Sequence, residues 1–96
     1  MLNQVVLVGR LKSFEDFGMT LAVPRSYKNE NGEYDTDIIP CELSGTIAEN
    51  TKEYCHHDDI IGVKGHIESQ GVALMIKVDK VTFLSSKTDT DMEGGE

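Results

Sequence analysis

Met1-Leu2-Asn3-Gln4-Val5-Val6-Leu7-Val8-Gly9-Arg10-Leu11 opens the chain, and its centre, Val5 to Val8, is an unbroken apolar run stopped by Gly9. Three of those four residues are β-branched, which suits the extended chain, where a branched side chain packs well on a pleated surface. Neighbouring side chains on a strand point to opposite faces, so a strand covered on one side alternates apolar and polar residues. This run does not alternate: Val6 and Val8 go to one side, Val5 and Leu7 to the other, and both sides need cover. A chain of 96 residues builds one modest core. A second subunit is therefore the simplest cover for the second face.

Working outward, residues 12–18 read as a short polar connection with Phe14 and Phe17 packed beneath it. Met19 to Val23 alternates weakly, with Met19, Leu21 and Val23 on one side, as in a half-buried strand. Pro24 cannot donate a ladder hydrogen bond and marks an edge or a bulge. Arg25, Tyr27 and Lys28 then bring two cations and a ring into a short space. Asn29-Glu30-Asn31-Gly32-Glu33 reads as a turn, in which Asn31-Gly32 suits the positive φ angles of a tight hairpin, and the return strand runs from Tyr34 to Leu43. Ile39, Cys41 and Leu43 share one of its faces; Ile38, Pro40 and Glu42 share the other. Cys41 reads as a small core residue rather than a nucleophile, since no His or acid in the strand is placed to activate it.

The period changes after Leu43. Thr46-Ile47-Ala48-Glu49 has the form of a capping box, and Ile47, Thr51 and Tyr54 fall on one stripe of a helix of about ten residues. Cys55-His56-His57-Asp58-Asp59 contains metal-ligand types. Adjacent residues rarely converge on one ion, however, and there is no second ligand pair at finger spacing, so a polar helix end is the expectation and no metal is assigned. Ile60 to Ser69 reads as a fourth strand, with Ile61, Val63, Gly65 and Ile67 facing one way and Ile60, Gly62, Lys64 and His66 the other. Gly62 and Gly65 suggest the bends of a curling sheet. After a turn at Ser69-Gln70-Gly71, Val72 to Leu84 forms a fifth strand with Leu74, Ile76 and Val78 as its apolar contacts. From Ser85 on, Ser, Thr, Asp, Glu and Gly dominate, a composition expected to stay disordered. The expected organisation is one domain, 1–84, and an acidic tail, 85–96.

Composition narrows the function. No apolar stretch approaches the roughly 20 residues that span a bilayer, and no secretory leader is visible at the start. With only two cysteines, the chain is read as cytoplasmic. The net charge of −8 opposes a strongly basic nucleic-acid binder. Asp89, Asp91, Glu93 and Glu96 lie in the last eight residues, though, and the remainder holds 13 acids against 9 bases. A mildly acidic body can still carry a basic face. There is no nucleophile–base pair, no glycine-rich phosphate loop and no paired metal ligands, so neither catalysis nor a cofactor is expected.

Three strands, a helix, then two strands is the element order of an all-β, five-stranded oligonucleotide/oligosaccharide-binding (OB) barrel with a short helix between strands three and four. At this point the residues themselves are suggestive. Asn3 to Leu11 closely resembles the opening strand of bacterial single-stranded DNA-binding proteins, and Thr20-Leu21-Ala22-Val23-Pro24-Arg25 resembles their second. Asn31-Gly32-Glu33 with Asp37-Ile38-Ile39-Pro40-Cys41 is similar to their second hairpin. Ala48-Glu49-Asn50 stands where their helix begins, and Gly62-Val63-Lys64-Gly65-His66-Ile67 is similar to their fourth strand. The likeness runs to about Phe83.

The resemblance implies single-stranded DNA binding in replication, recombination or repair, by stacking bases on aromatics and tracking phosphates with cations. It places a stacking aromatic at Tyr27, but where the family has others this chain has Ile38 and Ser44, and Ser69-Gln70-Gly71 replaces a longer loop. The acidic tail ends Met92-Glu93-Gly94-Gly95-Glu96, without the family's hydrophobic tip. Arg10, Lys12, Arg25, Tyr27, Lys28, Lys64, His66 and Lys77 are the candidate nucleic-acid contacts. Asn3, Val5, Val6, Leu7 and Val8 are the candidate interface of a homodimer or homotetramer. The resemblance also implies a bacterial nucleoid-associated or a phage- or plasmid-encoded protein, with replication or primosome proteins as further partners. The alternative is a protein-interaction barrel of the primosomal type that binds nucleic acid weakly.

Overall fold

The opening run forms β1 (Val5–Glu15), and a computed structural model of the chain, which describes residues 1–86, places it at the centre of the barrel's pairing. β1 pairs antiparallel with β2 (Gly18–Lys28) on one side and with β4 (Ile60–Gln70) on the other. β3 (Tyr34–Glu42) pairs with β2, and β5 (Ala73–Ser85) pairs with β4. A short parallel contact, Cys41 to Ile76 and Glu42 to Lys77, closes the barrel in the order β1-β2-β3-β5-β4. The helix α1 (Gly45–Tyr54) lies between β3 and β4 in sequence and packs against β5. The five-stranded barrel expected from the element order is the observed fold.

Alternation builds the core. Leu11, Met19, Leu21, Cys41, Leu43, Cys55, Ile61, Val63 and Val78 are buried, and Leu7, Phe14, Val23, Ile39 and Ile76 pack against them. Burial pushes the Cys41 thiol up to about 11, so it stays protonated at neutral pH and is a packing residue. In β1, Val5 and Leu7 are half-buried on the barrel side, while Val6 and Val8 are 69% and 53% exposed. The double-faced strand is thus covered on one face only within this chain.

Several local expectations are corrected. Residues 12–15 are strand, not connection, because β1 continues to Glu15 and only Asp16-Phe17 forms the hairpin turn. The β2–β3 turn spans residues 29–33, as expected, but without both central residues at positive φ. Asn29 and Glu33 close it through a 2.7 Å backbone bond, and the Asn29 side chain accepts the amides of Asn31 and Glu33. Of the two central residues, Gly32 alone takes positive φ, at 79°. The helix begins at Gly45 after Ser44, and no side chain caps it, so Thr46 and Glu49 do not form a capping box. The Leu43 amide donates to the Phe17 carbonyl at 3.0 Å, which ties the chain to the first hairpin just before the helix must start. The inward stripe of α1 runs Ile47, Thr51 and on to Cys55 just past its end; Tyr54 is 65% exposed. The β4–β5 turn falls at Gly71-Val72, one residue later than expected, and Leu74 is exposed because this hairpin projects past the barrel. β5 runs on to Ser85, opposite Ile60. The expected tail otherwise falls on residues 87–96, outside the described residues.

The Cys55–Asp59 segment closes the base of the barrel. Asp58 and Leu11 bond backbone to backbone at 2.7 Å, and the Leu11 amide donates to the Asp59 carbonyl at 2.9 Å. The buried Asp59 carboxylate accepts the His56 amide at 2.7 Å. Among the described residues no cluster of three or more His, Cys, Asp or Glu is arranged to hold a metal ion, and no helix is long and apolar enough to cross a membrane.

Candidate nucleic-acid interface

The β2–β3 hairpin extends beyond the barrel as a twisted ribbon. A register shift between Pro24 and Lys28 inserts extra residues into β2, where Pro24 marked a bulge. Tyr27 is 62% exposed, and Tyr34, paired across the strands with Lys28, is 56% exposed. The Lys28 ammonium lies 5.9 Å from the centroid of the Tyr34 ring, within cation–π reach. Tyr34, Thr36 and Ile38 share the outer face by alternation, and Ile38 is itself 58% exposed. Asp35 and Asp37 lie on the other face.

Arg25 is clamped on that second face. Its Nε donates to Asp37 Oδ2 at 3.1 Å and its Nη2 to Asp37 Oδ1 at 2.9 Å, with Asp35 Oδ2 3.8 Å from Nη1. The hydrogen bond from Arg25 lowers the pKa of Asp37, while the same bond and the Asp37 charge raise that of Arg25.

The eight candidate contacts do not form one patch. Arg25, Tyr27 and Lys28 all lie on the ribbon, with Arg25 against Asp37 on one face and Lys28 over Tyr34 on the other. Arg10 and Lys64 lie exposed on the outer face of the β1–β4 pair, where Lys64 is opposite Val6. The Arg10 guanidinium also donates to the Asp58 carbonyl at 3.2 Å. Lys12 pairs with the Asp58 carboxylate at 3.3 Å, on the loop that closes the barrel base. His66 and Lys77, opposite each other on β4 and β5, are enclosed by acids. The His66 Nδ1 is 3.1 Å from Asp79 and its Nε2 is 2.7 Å from Glu68. Hydrogen bonds to Asp79 and Glu68 raise the pKa of His66 and keep it protonated to higher pH. Lys77 donates to Glu42, which lowers the pKa of Glu42 and raises that of Lys77, and it lies 3.8 Å from Glu68. Carboxylates therefore occupy four of the seven charged or chargeable candidates: Lys12, Arg25, His66 and Lys77.

Asn3, one of the candidate interface residues, serves its own chain. Its side-chain amide donates to the Ile67 carbonyl at 2.7 Å and accepts the Ile67 amide at 2.9 Å, so one side chain extends the β1–β4 ladder. Tyr34 stands exposed on the ribbon although it is not among the eight candidates. The signal was present, since the face assigned to Ile38, Pro40 and Glu42 reaches Tyr34 when the alternation is followed back.

A closed five-stranded barrel with its helix after the third strand, and with aromatic residues and cations on a projecting ribbon, is an OB fold. No family model matches the chain. It is 41% identical to single-stranded DNA-binding protein B of Bacillus subtilis (strain 168), an alignment covering 91% of this chain and 94% of that protein. A single-stranded DNA-binding protein of Lactiplantibacillus plantarum is 28% identical over 95% of this chain, which spans 55% of that longer relative. The crystal structure of a deletion mutant of the Thermus aquaticus single-stranded DNA-binding protein superposes with a TM-score of 0.64 at 20% identity, covering 92% of this chain and 53% of that one. The chain belongs to the bacterial single-stranded DNA-binding protein family.

Proposed function

We propose that this chain binds single-stranded DNA, without catalysis, in replication, recombination or repair. The observation that carries the reading is the β2–β3 ribbon, where Tyr27 and Tyr34 stand exposed and Lys28 lies over the Tyr34 ring, on the barrel of this family. Aromatic faces stack on any base and cations follow the phosphates, so binding tolerates sequence and depends on salt. Lys28, Lys64 and Arg10 are the candidate cations not held by a carboxylate. With two or three such contacts, the slope of log K against log salt is expected to be about −1.4 to −2, at roughly 0.7 per phosphate on a single strand. Titration of poly-dT at several salt concentrations tests this. Absence of binding even at low salt would favour a protein-interaction barrel, the reading to which the four carboxylate-held candidates lend support.

The assembly reading is a homodimer at least, meeting through the outer face of β1. Val6 and Val8 support it, because these two large apolar side chains stand 69% and 53% exposed on one β-sheet face among the described residues. Arg10 and Lys64 lie on the same face, so a partner there takes them away from DNA and leaves a shallower salt slope. Val6 is exposed in the single chain, so Val6→Glu is expected to leave the fold intact and split the oligomer, a charge buried in an apolar interface being costly. Light scattering on wild type and variant reads this directly. A wild type that stays at the 10.6 kDa monomer mass at micromolar concentration refutes it.

A further inference from the structure

We propose that Asp37 is an internal competitor of the DNA phosphate for Arg25 and thereby sets the affinity of the ribbon. The inference rests on the single-stranded DNA reading above. A guanidinium presents a planar fork of N–H donors that a carboxylate and a phosphate engage in the same bidentate way. Asp37 takes that fork through two bonds of 3.1 and 2.9 Å, and Asp35 stands at 3.8 Å from the remaining terminal nitrogen. A phosphate can take the Nε–Nη2 edge bidentately only by displacing the Asp37 carboxylate. Displacement is feasible because the pair is in water. The side chains of Arg25 and Asp37 are 40% and 46% exposed, and such pairs hold weakly and contribute little to the fold. Arg25 thus counts as a cation in the sequence but not, in the free protein, as an available phosphate site.

The test compares Asp37→Asn with Asp16→Asn, which makes the same change of net charge at the β1–β2 turn, away from Arg25. Asparagine keeps the size of the aspartate and one acceptor for Arg25, and circular dichroism melts check that both variants fold like wild type. Anisotropy with labelled oligo-dT at low salt is expected to show Asp37→Asn binding roughly two- to fivefold tighter than Asp16→Asn, the range an exposed ion pair represents. The gain is expected to vanish when Arg25→Ala is added. An Asp37→Asn affinity equal to that of Asp16→Asn, or a gain that survives Arg25→Ala, overturns the inference and leaves the DNA reading standing. If neither wild type nor any variant binds, the DNA reading falls and takes the inference with it.

Discussion

Gly65→Ala is expected to lower the melting temperature by roughly 10–20 °C, whereas Gly62→Ala, three residues earlier in the same strand, leaves it almost unchanged. A Cβ at Gly65 would collide with the carbonyl oxygen of Lys77 and approach its carbonyl carbon to 3.0 Å. Both atoms belong to the backbone of β5, at the register shift between Lys64 and Gly65 that bends β4 round the barrel. Backbone hydrogen-bonded on both sides cannot step aside without loosening the β4–β5 ladder. An overpacked site of this kind costs about 1–3 kcal/mol, and rigid neighbours place it at the upper end. At Gly62 the nearest neighbour is Leu84 Cδ1 at 3.7 Å, an ordinary contact. Thermal melts followed by circular dichroism separate the two. Equal melting temperatures would mean that β5 shifts freely and that the close approach at Gly65 does not hold the bend.

Tyr27→Ala is expected to weaken oligo-dT binding by about 1–3 kcal/mol, the cost of one lost base stack, or roughly 5- to 150-fold. Tyr27→Phe should retain most of the affinity, since stacking uses the ring rather than the hydroxyl. The ring is 62% exposed, so neither change removes core packing. Tyr34→Ala is the informative companion, because Tyr34 lies with Ile38 on the outer face of the ribbon, under Lys28. A large effect at Tyr34 with none at Tyr27 would move the strand to that outer face. No effect at either would remove the ribbon from the binding site. The chain has no tryptophan, so quenching of tyrosine fluorescence reports on the stack directly, with Tyr54 on the helix as background.

Local order explains what could be read in advance. The alternation in β2 to β5 specified which side chains face inward, because a strand's period of two holds wherever one face is buried. Met19, Leu21, Cys41, Leu43, Ile61, Val63 and Val78 were legible as core for that reason. Turns and caps were less legible. Asp16-Phe17 turns the chain where composition suggested a longer loop, and Ser44 precedes the helix where Thr46 looked the better cap. In both places a contact from elsewhere, the Leu43 amide on the Phe17 carbonyl, outweighed the local preference.

By itself, the sequence determined the element order, the inward faces and the double-sided apolar character of β1, all properties of neighbours along one strand. It also placed a ring between two cations at Arg25, Tyr27 and Lys28. Only the tertiary structure decided which charges remain available. Arg25 meets Asp37 twelve residues away, Lys12 meets Asp58 across 46, Lys77 meets Glu42 across 35, and His66 meets Asp79 across 13. Such pairings follow from strand register and barrel closure, so no count of cations along the chain contains them. The same holds for Gly65 and Gly62, alike in sequence but separated by the carbonyl of a residue on the neighbouring strand. Whether a charge or a glycine matters depends on what the fold places opposite it, and that is set by contacts between residues distant in the chain.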